Sequence, residues 1–490
     1  MQIASVVYLA FLGAVAIAYF ALPGVRTRTL LLLGASLAFY YSLSPRWAGV
    51  LLLVIAVGYV GGEAIELAGG DAGSRKRRAA VFVVAVVAIL AFFKYAGVSS
   101  AAVNPALGLV GMQPLRLALP IGISFWTFLT IAYLVEVAKG AVPAERNLPR
   151  YALFVSFFPQ VSAGPIASPK ALLPQLAQKH RFSYDKMQSG LLLVAWGFAK
   201  KLLVADPLGV LVQSVYHHPQ RYTGGHNGLI LGVASIAFAV QIYCDFSGYT
   251  DIVRGSARLF GIELLRNFDR PYFARSVKEF WRRWHMSLME WLKRYVYIPL
   301  GGSRVPTWRR YANILAVFLL SGIWHGAGLT FVAWGVLNGA YQVLGDATAP
   351  LRDGLVRILG VDRETTLYRA FQTALTFVLV TMAWVFFRAE SLGDALYILP
   401  RMFAPTFHVL TDGSLDRLGL THPQLVAVVV SALCVFAVEY VATRTYLIPF
   451  VKRQSLPLRW SAYLALIFAI VVFGYYGPAY NAAGFAYFKF

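Results

Sequence analysis

Two of the eight histidines in this 490-residue chain differ from the rest in what surrounds them. His325 lies in SGIWHGAGLT (321–330), between the apolar stretches NILAVFLL and FVAWGVLNGAY. His285 lies in EFWRRWHMSLMEWL. The others, His180, His217, His218, His226, His408 and His422, fall in loops with turn residues nearby. An ionisable ring among membrane-length apolar runs is expensive and functional by default. The bland alternative is a buried histidine bonded to a neighbouring helix. Gly322, Gly326 and Gly328 favour the functional reading. They remove side chains around the ring, permit a helix break and let a chain-like substrate approach. Burial favours the neutral imidazole, the form a general base needs. His325 therefore reads as a catalytic base.

The His285 segment supports two readings. On a helix, Arg282 and His285 are three apart and share a face, while Glu279 and Arg283 are four apart and can pair. Trp281, Trp284 and Trp291 add large flat surfaces. As an amphipathic interfacial helix, the segment would set its arginines against lipid phosphates. As a binding wall, Arg282, Arg283, Trp284 and Trp324 would hold a phosphorylated, flexible donor, and His285 would line its route to His325. Neither histidine has Cys, Asp or Glu at metal-ligand spacing, so no metal is expected.

The elements that must carry these residues are membrane spans. Hydrophobic residues make up 58% of the chain and charged ones 13%, with a mean hydropathy of +0.62, which excludes an ordinary soluble domain. Apolar runs long enough to cross a hydrocarbon layer recur at 3–22, 29–43, 47–67, 79–96, 115–137, 151–166, 187–214, 228–244, 311–324, 327–345, 369–388, 423–444 and 458–476. Some are too short or interrupted to cross fully. The expectation is an all-α polytopic membrane protein with about eleven crossings plus re-entrant and interfacial helices. No linker or repeat divides 1–490, which reads as one integral-membrane domain. Within it, 1–118 is less diagnostic, 119–345 bears the motifs and 346–490 supplies C-terminal spans. The first run lacks a basic leader and reads as a retained span.

The formal charge of +22 points to the positive-inside rule rather than nucleic acid, because the basic residues cluster between apolar runs. A phosphate-rich ligand on that face is compatible with this. Ser74–Arg78, SRKRR, should be cytoplasmic, with Arg26 and Arg28 on the same side and the N-terminus outside. Residues 245–310 are basic and densely aromatic, which suits the cytoplasmic interface. Cys244 and Cys434 are far apart and form no disulfide framework.

EFWRRWHMSLMEWLKRYVYIPLGGSR followed by LLSGIWHGAGLTFVAWGVLNG resembles the signature of the membrane-bound O-acyltransferase family. The likeness is to its bacterial branch, which includes the membrane subunit of alginate O-acetylation. Supporting stretches are LPIGISFWTF (119–128), RNLPRYALFVSFFPQVSAGPI (146–166), GFAKKLLVADPL (197–208), QIYCDFSGYTDIVRG (241–255), NFDRPYF (267–273) and GFAYFKF (484–490). The chain departs from that branch at Lys293-Arg294-Tyr295, where an acidic residue is usual. The resemblance implies catalytic roles for His325 and His285, and helices ringing a central tunnel. It implies an acyltransferase of the bacterial inner membrane, using acetyl-coenzyme A or a phosphopantetheine-carried acyl thioester as donor substrate, with no bound cofactor. It also implies a periplasmic SGNH-type partner and a cell-surface polysaccharide as final acceptor. A transporter or flippase, or a scaffold subunit of an export complex, remains open at this stage.

Overall fold

The computed structural model describes residues 1–95, 119–222, 228–404, 418–442 and 447–476. His226, His408, the 484–490 motif and parts of the expected spans at 79–96, 115–137 and 423–444 lie outside them. Among the described residues the chain is helical and has no strand, as the apolar runs predict. It forms two compact units, 1–194 with 249–266, and 195–248 with 267–490. Two of the boundaries, at 194/195 and 248/249, fall inside helices, where no linker could mark them, and the third, at 266/267, falls in irregular backbone.

The first unit contains α1 (Val6–Ala21), α2 (Val25–Leu43), α3 (Ala48–Glu66), α4 (Ala72–Lys94), α5 (Ile123–Ala138), α6 (Leu148–Ser156), α7 (Pro169–Leu176) and the start of α8 (Tyr184–Ala199). Side-chain oxygens start several of these helices where the orphan amides need them. Ser5 caps α1, Asp71 caps α4 through Gly73 and Ser74, and Asn147 caps α6. The run expected as a span at 151–166 is helical only to Ser156. Pro159 disfavours helix at the residue before it. Residues 157–167 are irregular yet buried, the form that broken backbone takes at membrane depth.

The second unit begins within α8, which continues through a π turn at Lys200–Ala205 into α9 (Asp206–Tyr216). There follow α10 (Gly228–Leu259), which belongs to this unit up to Gly248 and to the first unit from Tyr249, α11 (Val277–Arg283), α12 (Met286–Leu292), α13 (Thr307–His325), α14 (Leu329–Ala347), α15 (Ala349–Ile358), α16 (Thr366–Arg388), α17 (Leu392–Arg401), α18 (His422–Val441), α19 (Leu447–Lys452) and α20 (Leu456–Phe473). The span expected at 228–244 is longer than its apolar run, since α10 extends to Leu259 and carries Asp245 and Asp251. His422, expected in a loop, opens α18 behind a Thr421–Gln424 capping box.

Among the described residues, five helices are long and apolar enough to cross a membrane: Pro45–Glu66, α10, α16, α18 and α20. Two more, α1 and α5, are apolar but shorter. Helices α2, α4, α13 and α14 have comparable length. Arg26 and Arg28, the basic run 75–78, and Arg309 and Arg310 occupy the first two turns of α2, α4 and α13, as befits helices entering from a basic interface. None of the residues of α20 is buried and few of those of α18 are, so Val426, Leu433, Ile467 and Phe468 present bare apolar surface. A bilayer covers such surface without cost.

Candidate active site

The site is built in the second unit on the hairpin of α13 and α14. These helices cross backbone to backbone. A Cβ on Gly335 would lie 2.5 Å from the Phe318 carbonyl oxygen, and one on Gly322 2.4 Å from that of Phe331. Small residues at both positions bring the two Cα atoms together, as in tightly packed membrane helix pairs. α13 ends at His325, and Gly326 turns the chain where a side chain would strike the Phe331 ring at 2.3 Å. His325 is thus the last helical residue at a sharp break, as the surrounding glycines imply.

His325 is 6% exposed. Its Nδ1 lies 2.6 Å from the Ser321 carbonyl oxygen, one turn back on the same helix. A carbonyl only accepts, so Nδ1 carries the proton and Nε2 holds the lone pair. That is the tautomer of a general base. Three rings enclose the imidazole: Trp324 at 4.7 Å, Trp334 at 4.9 Å and Phe387 at 5.4 Å between centroids. Trp384 stacks on Trp334 at 5.9 Å and meets Phe387 at 5.4 Å. Trp281 Nε1 donates to Asn338 Oδ1, which ties α11 to α14. Such a wall excludes water and strengthens each polar interaction within it.

His285 is 1% exposed, and its ring sits between Phe246 at 4.8 Å and Trp324 at 6.4 Å. Trp324 therefore touches both histidines. The helical register expected for Arg282 and His285 does not hold. α11 ends at Arg283, Trp284 is extended, and His285 is left-handed at φ 45°, ψ 50°. Reversal at this point puts Arg282 at the surface and His285 in the core. Asn267 takes over the capping of α12, accepting from Met286 N through its carbonyl and from Ser287 N through Oδ1. A non-glycine residue held left-handed costs of order 1–3 kcal/mol, a strain typical of functional positions. His285 lies outside the candidate spans. Burial, and then the charge of nearby His325, hold its pKa well below the ordinary imidazole value.

Arg283 pairs with Glu279 at 2.5 Å, as their spacing predicts. Arg282 is exposed and makes no ion pair among the described residues. Trp284 is a core residue, packed on Phe280 at 5.3 Å, Phe268 at 5.0 Å and Trp384 at 5.0 Å.

Reading the sequence missed one cluster that supports the His285 wall. Lys201 Nζ lies 2.7 Å from Asp206 and 2.6 Å from Asp245, and Lys200 Nζ donates to Ser247 at 3.1 Å. The π turn at Lys200–Ala205 sets the two consecutive lysines toward α10. Asp245 precedes Phe246, so this buried ionic knot anchors the residue that packs on His285. The only sequence signal was charge within apolar runs, in FAKKLLVADPL and YCDFSGY.

The chain is also similar to proteins already known. Residues 117–354 match the model of MBOAT, the membrane-bound O-acyltransferase family. "Probable alginate O-acetylase AlgI" of Pseudomonas aeruginosa is 36% identical over 441 residues, covering 88% of this chain and 80% of that protein. Peptidoglycan O-acetyltransferase of Helicobacter pylori is 33% identical over 399 residues, covering 75% and 72%. Teichoic acid D-alanyltransferase of Bacillus subtilis is 27% identical over 228 residues, covering 44% and 56%.

Proposed function

This chain belongs to the membrane-bound O-acyltransferase family, and from that premise we propose that it carries an acetyl or other small acyl group from a cytoplasmic thioester across the bacterial inner membrane to a hydroxyl on the far side. O-acyl transfer at the membrane is the activity of the family. The donor we assign is acetyl-coenzyme A, or a phosphopantetheine-carried acyl thioester. Coenzyme A is too highly charged to cross lipid, but its pantetheine arm is thin and nearly neutral. A basic cytoplasmic surface holds the phosphates while the arm carries the thioester to the buried base. Arg282, exposed and without an ion pair among the described residues, is the residue of the proposed wall that suits the phosphates best. The acceptor is a serine of a periplasmic SGNH-type partner, which passes the group to a polysaccharide. That class of final acceptor is supported by relatives named for alginate and peptidoglycan O-acetylation. The N-terminus lies outside, with Arg75–Arg78 in the cytoplasm.

The observation that carries this reading is the bond from His325 Nδ1 to the Ser321 carbonyl. It puts the lone pair on Nε2, which takes the proton of the acceptor hydroxyl as its oxygen attacks the thioester carbonyl carbon. The carbonyl π electrons move to oxygen. When the tetrahedral intermediate collapses, the C–S bond breaks, the sulfur leaves with the electron pair, and the proton on His325 passes to it. Ester and thiol are the products, and His325 returns to its starting state. His285 and Trp324 line the approach to the base.

Inside-out membrane vesicles supply the test. Radiolabelled acetyl-coenzyme A is added to the exposed cytoplasmic face, and ester-linked label is measured inside, protected from added esterase. The expected result is protected label that depends on this protein. Label accessible only from the donor side would overturn transfer across the membrane.

A further inference from the structure

Collapse of a thioester through a tetrahedral intermediate needs a hydrogen-bond donor for the oxyanion, and the residues named so far supply a base but no such donor. Trp334 fits the need. It is 1% exposed, its ring centre is 4.9 Å from that of His325, and its indole Nε1–H has no hydrogen-bond partner among the described residues. Tryptophan N–H is a donor only, so nothing but an acceptor can satisfy it. A buried indole N–H usually finds a partner, and leaving one unmet is destabilising enough to call for an explanation. The contrast with Trp281 is informative. That ring packs on Trp334 at 5.7 Å and gives its own N–H to Asn338, an acceptor supplied on the same helix as Trp334. The fold thus satisfies the Trp281 indole and leaves the Trp334 N–H, in the ring that contacts the base, unmet among the described residues, as it does that of Trp384 stacked behind it.

We propose that Trp334 is a catalytic residue whose indole N–H donates to the thioester carbonyl oxygen and to the oxyanion it becomes. The inference rests on the acyltransferase reading of His325. As the acceptor oxygen bonds to the carbonyl carbon and His325 Nε2 takes its proton, the carbonyl π pair moves onto the oxygen facing Trp334. That negative charge meets a donor already in place, in a site walled by Trp324, Phe387 and Trp384. The C–S bond then breaks, the oxygen returns its pair to carbon, and the Trp334 hydrogen bond relaxes to that of a neutral carbonyl. A fixed donor in a water-excluded site costs no reorganisation at the moment of reaction.

Two variants remove the N–H. Trp334→Phe keeps an aromatic ring. Substitution of benzothienylalanine for Trp334 replaces N–H by sulfur with nearly the original shape. Both are expected to lower kcat by about 10²–10³-fold, the usual effect of losing one oxyanion donor, with little change in donor KM. Thermal unfolding of the benzothienylalanine protein should match wild type, since only an unmet donor is lost. If it turns over at the wild-type rate, the proposal is overturned, whatever Trp334→Phe does, because the ring and not its N–H is then what matters. His325→Ala, run alongside, separates the two levels. Full turnover without the N–H, but none without His325, removes only the Trp334 assignment. Turnover in both removes the acyltransfer site itself.

Discussion

Gly335→Ala is expected to disable the enzyme without touching any group that does chemistry. The new Cβ would sit 2.5 Å from the Phe318 carbonyl oxygen, where an ordinary contact begins at 3.4 Å. Both partners are backbone of paired helices, so no side chain can swing aside. α13 and α14 must part by about 0.9 Å at the crossing. The two reactive groups lie between the crossing glycines in sequence: Gly322 is three residues before His325, and Gly335 follows Trp334. Parting the helices therefore moves the base away from the ring it faces. A misplacement near 1 Å costs on the order of 10²-fold in rate, and overpacking of this kind costs about 1–3 kcal/mol in stability. The assay is kcat/KM for acyl transfer alongside thermal unfolding, with Gly345→Ala as control. Gly345 is on the same helix with nothing within 4 Å of its would-be Cβ, so that change should stabilise slightly, by about 0.5–1 kcal/mol, and leave activity alone. Wild-type kcat/KM and unfolding in Gly335→Ala would refute the claim that backbone contact at this crossing sets the site.

Three further outcomes follow from other parts of the site. His285, held below its ordinary pKa of 6.5 by burial and by His325, stays neutral when folded and protonates when unfolded. The unfolded state then binds more protons as pH falls through about 6.5, and stability should drop by up to roughly 1.4 kcal/mol per pH unit. His285→Asn, which tolerates the left-handed backbone, should flatten this acid slope, and an unchanged slope would refute the assignment. Lys201→Met leaves Asp206 and Asp245 buried without their cation, and should cost about 3–5 kcal/mol in denaturant unfolding. A loss within error of zero would show that the knot is solvated. Arg282→Ala should raise donor KM by about one to two decades, with the wild-type affinity falling as salt rises, and leave acceptor KM unchanged. An unchanged donor KM in folded protein would make the segment a lipid anchor.

The base and its helix break were legible because three glycines and one histidine fall within ten consecutive residues flanked by apolar runs. The tautomer was not, since it depends on a carbonyl that every residue has and on where the helix ends. The rings around His325 come from 324, 334 and 387, backed by 384. Trp384 and Phe387 sit in a run that reads as an ordinary span, so only packing reveals them. Periodicity failed at Trp284-His285, where a helical pattern is broken by a left-handed residue that no glycine announces. The pairing of Glu279 with Arg283 held because it needs only one helical turn. Lys201, Asp206 and Asp245 escaped notice because a π turn sets two consecutive lysines toward α10, and spacing rules assume a regular helix.

The central claim is that His325 Nε2 is the base, and His325→Gln tests it most directly. Glutamine can still donate to the Ser321 carbonyl and fill much of the same space, but it cannot take a proton. Acyl transfer from radiolabelled acetyl-coenzyme A by the purified variant, with its unfolding midpoint shown to equal that of wild type, is the measurement. The account predicts a fall of about 10²–10⁴-fold in kcat, matched by His325→Ala. A folded variant that keeps a substantial part of wild-type turnover would contradict it.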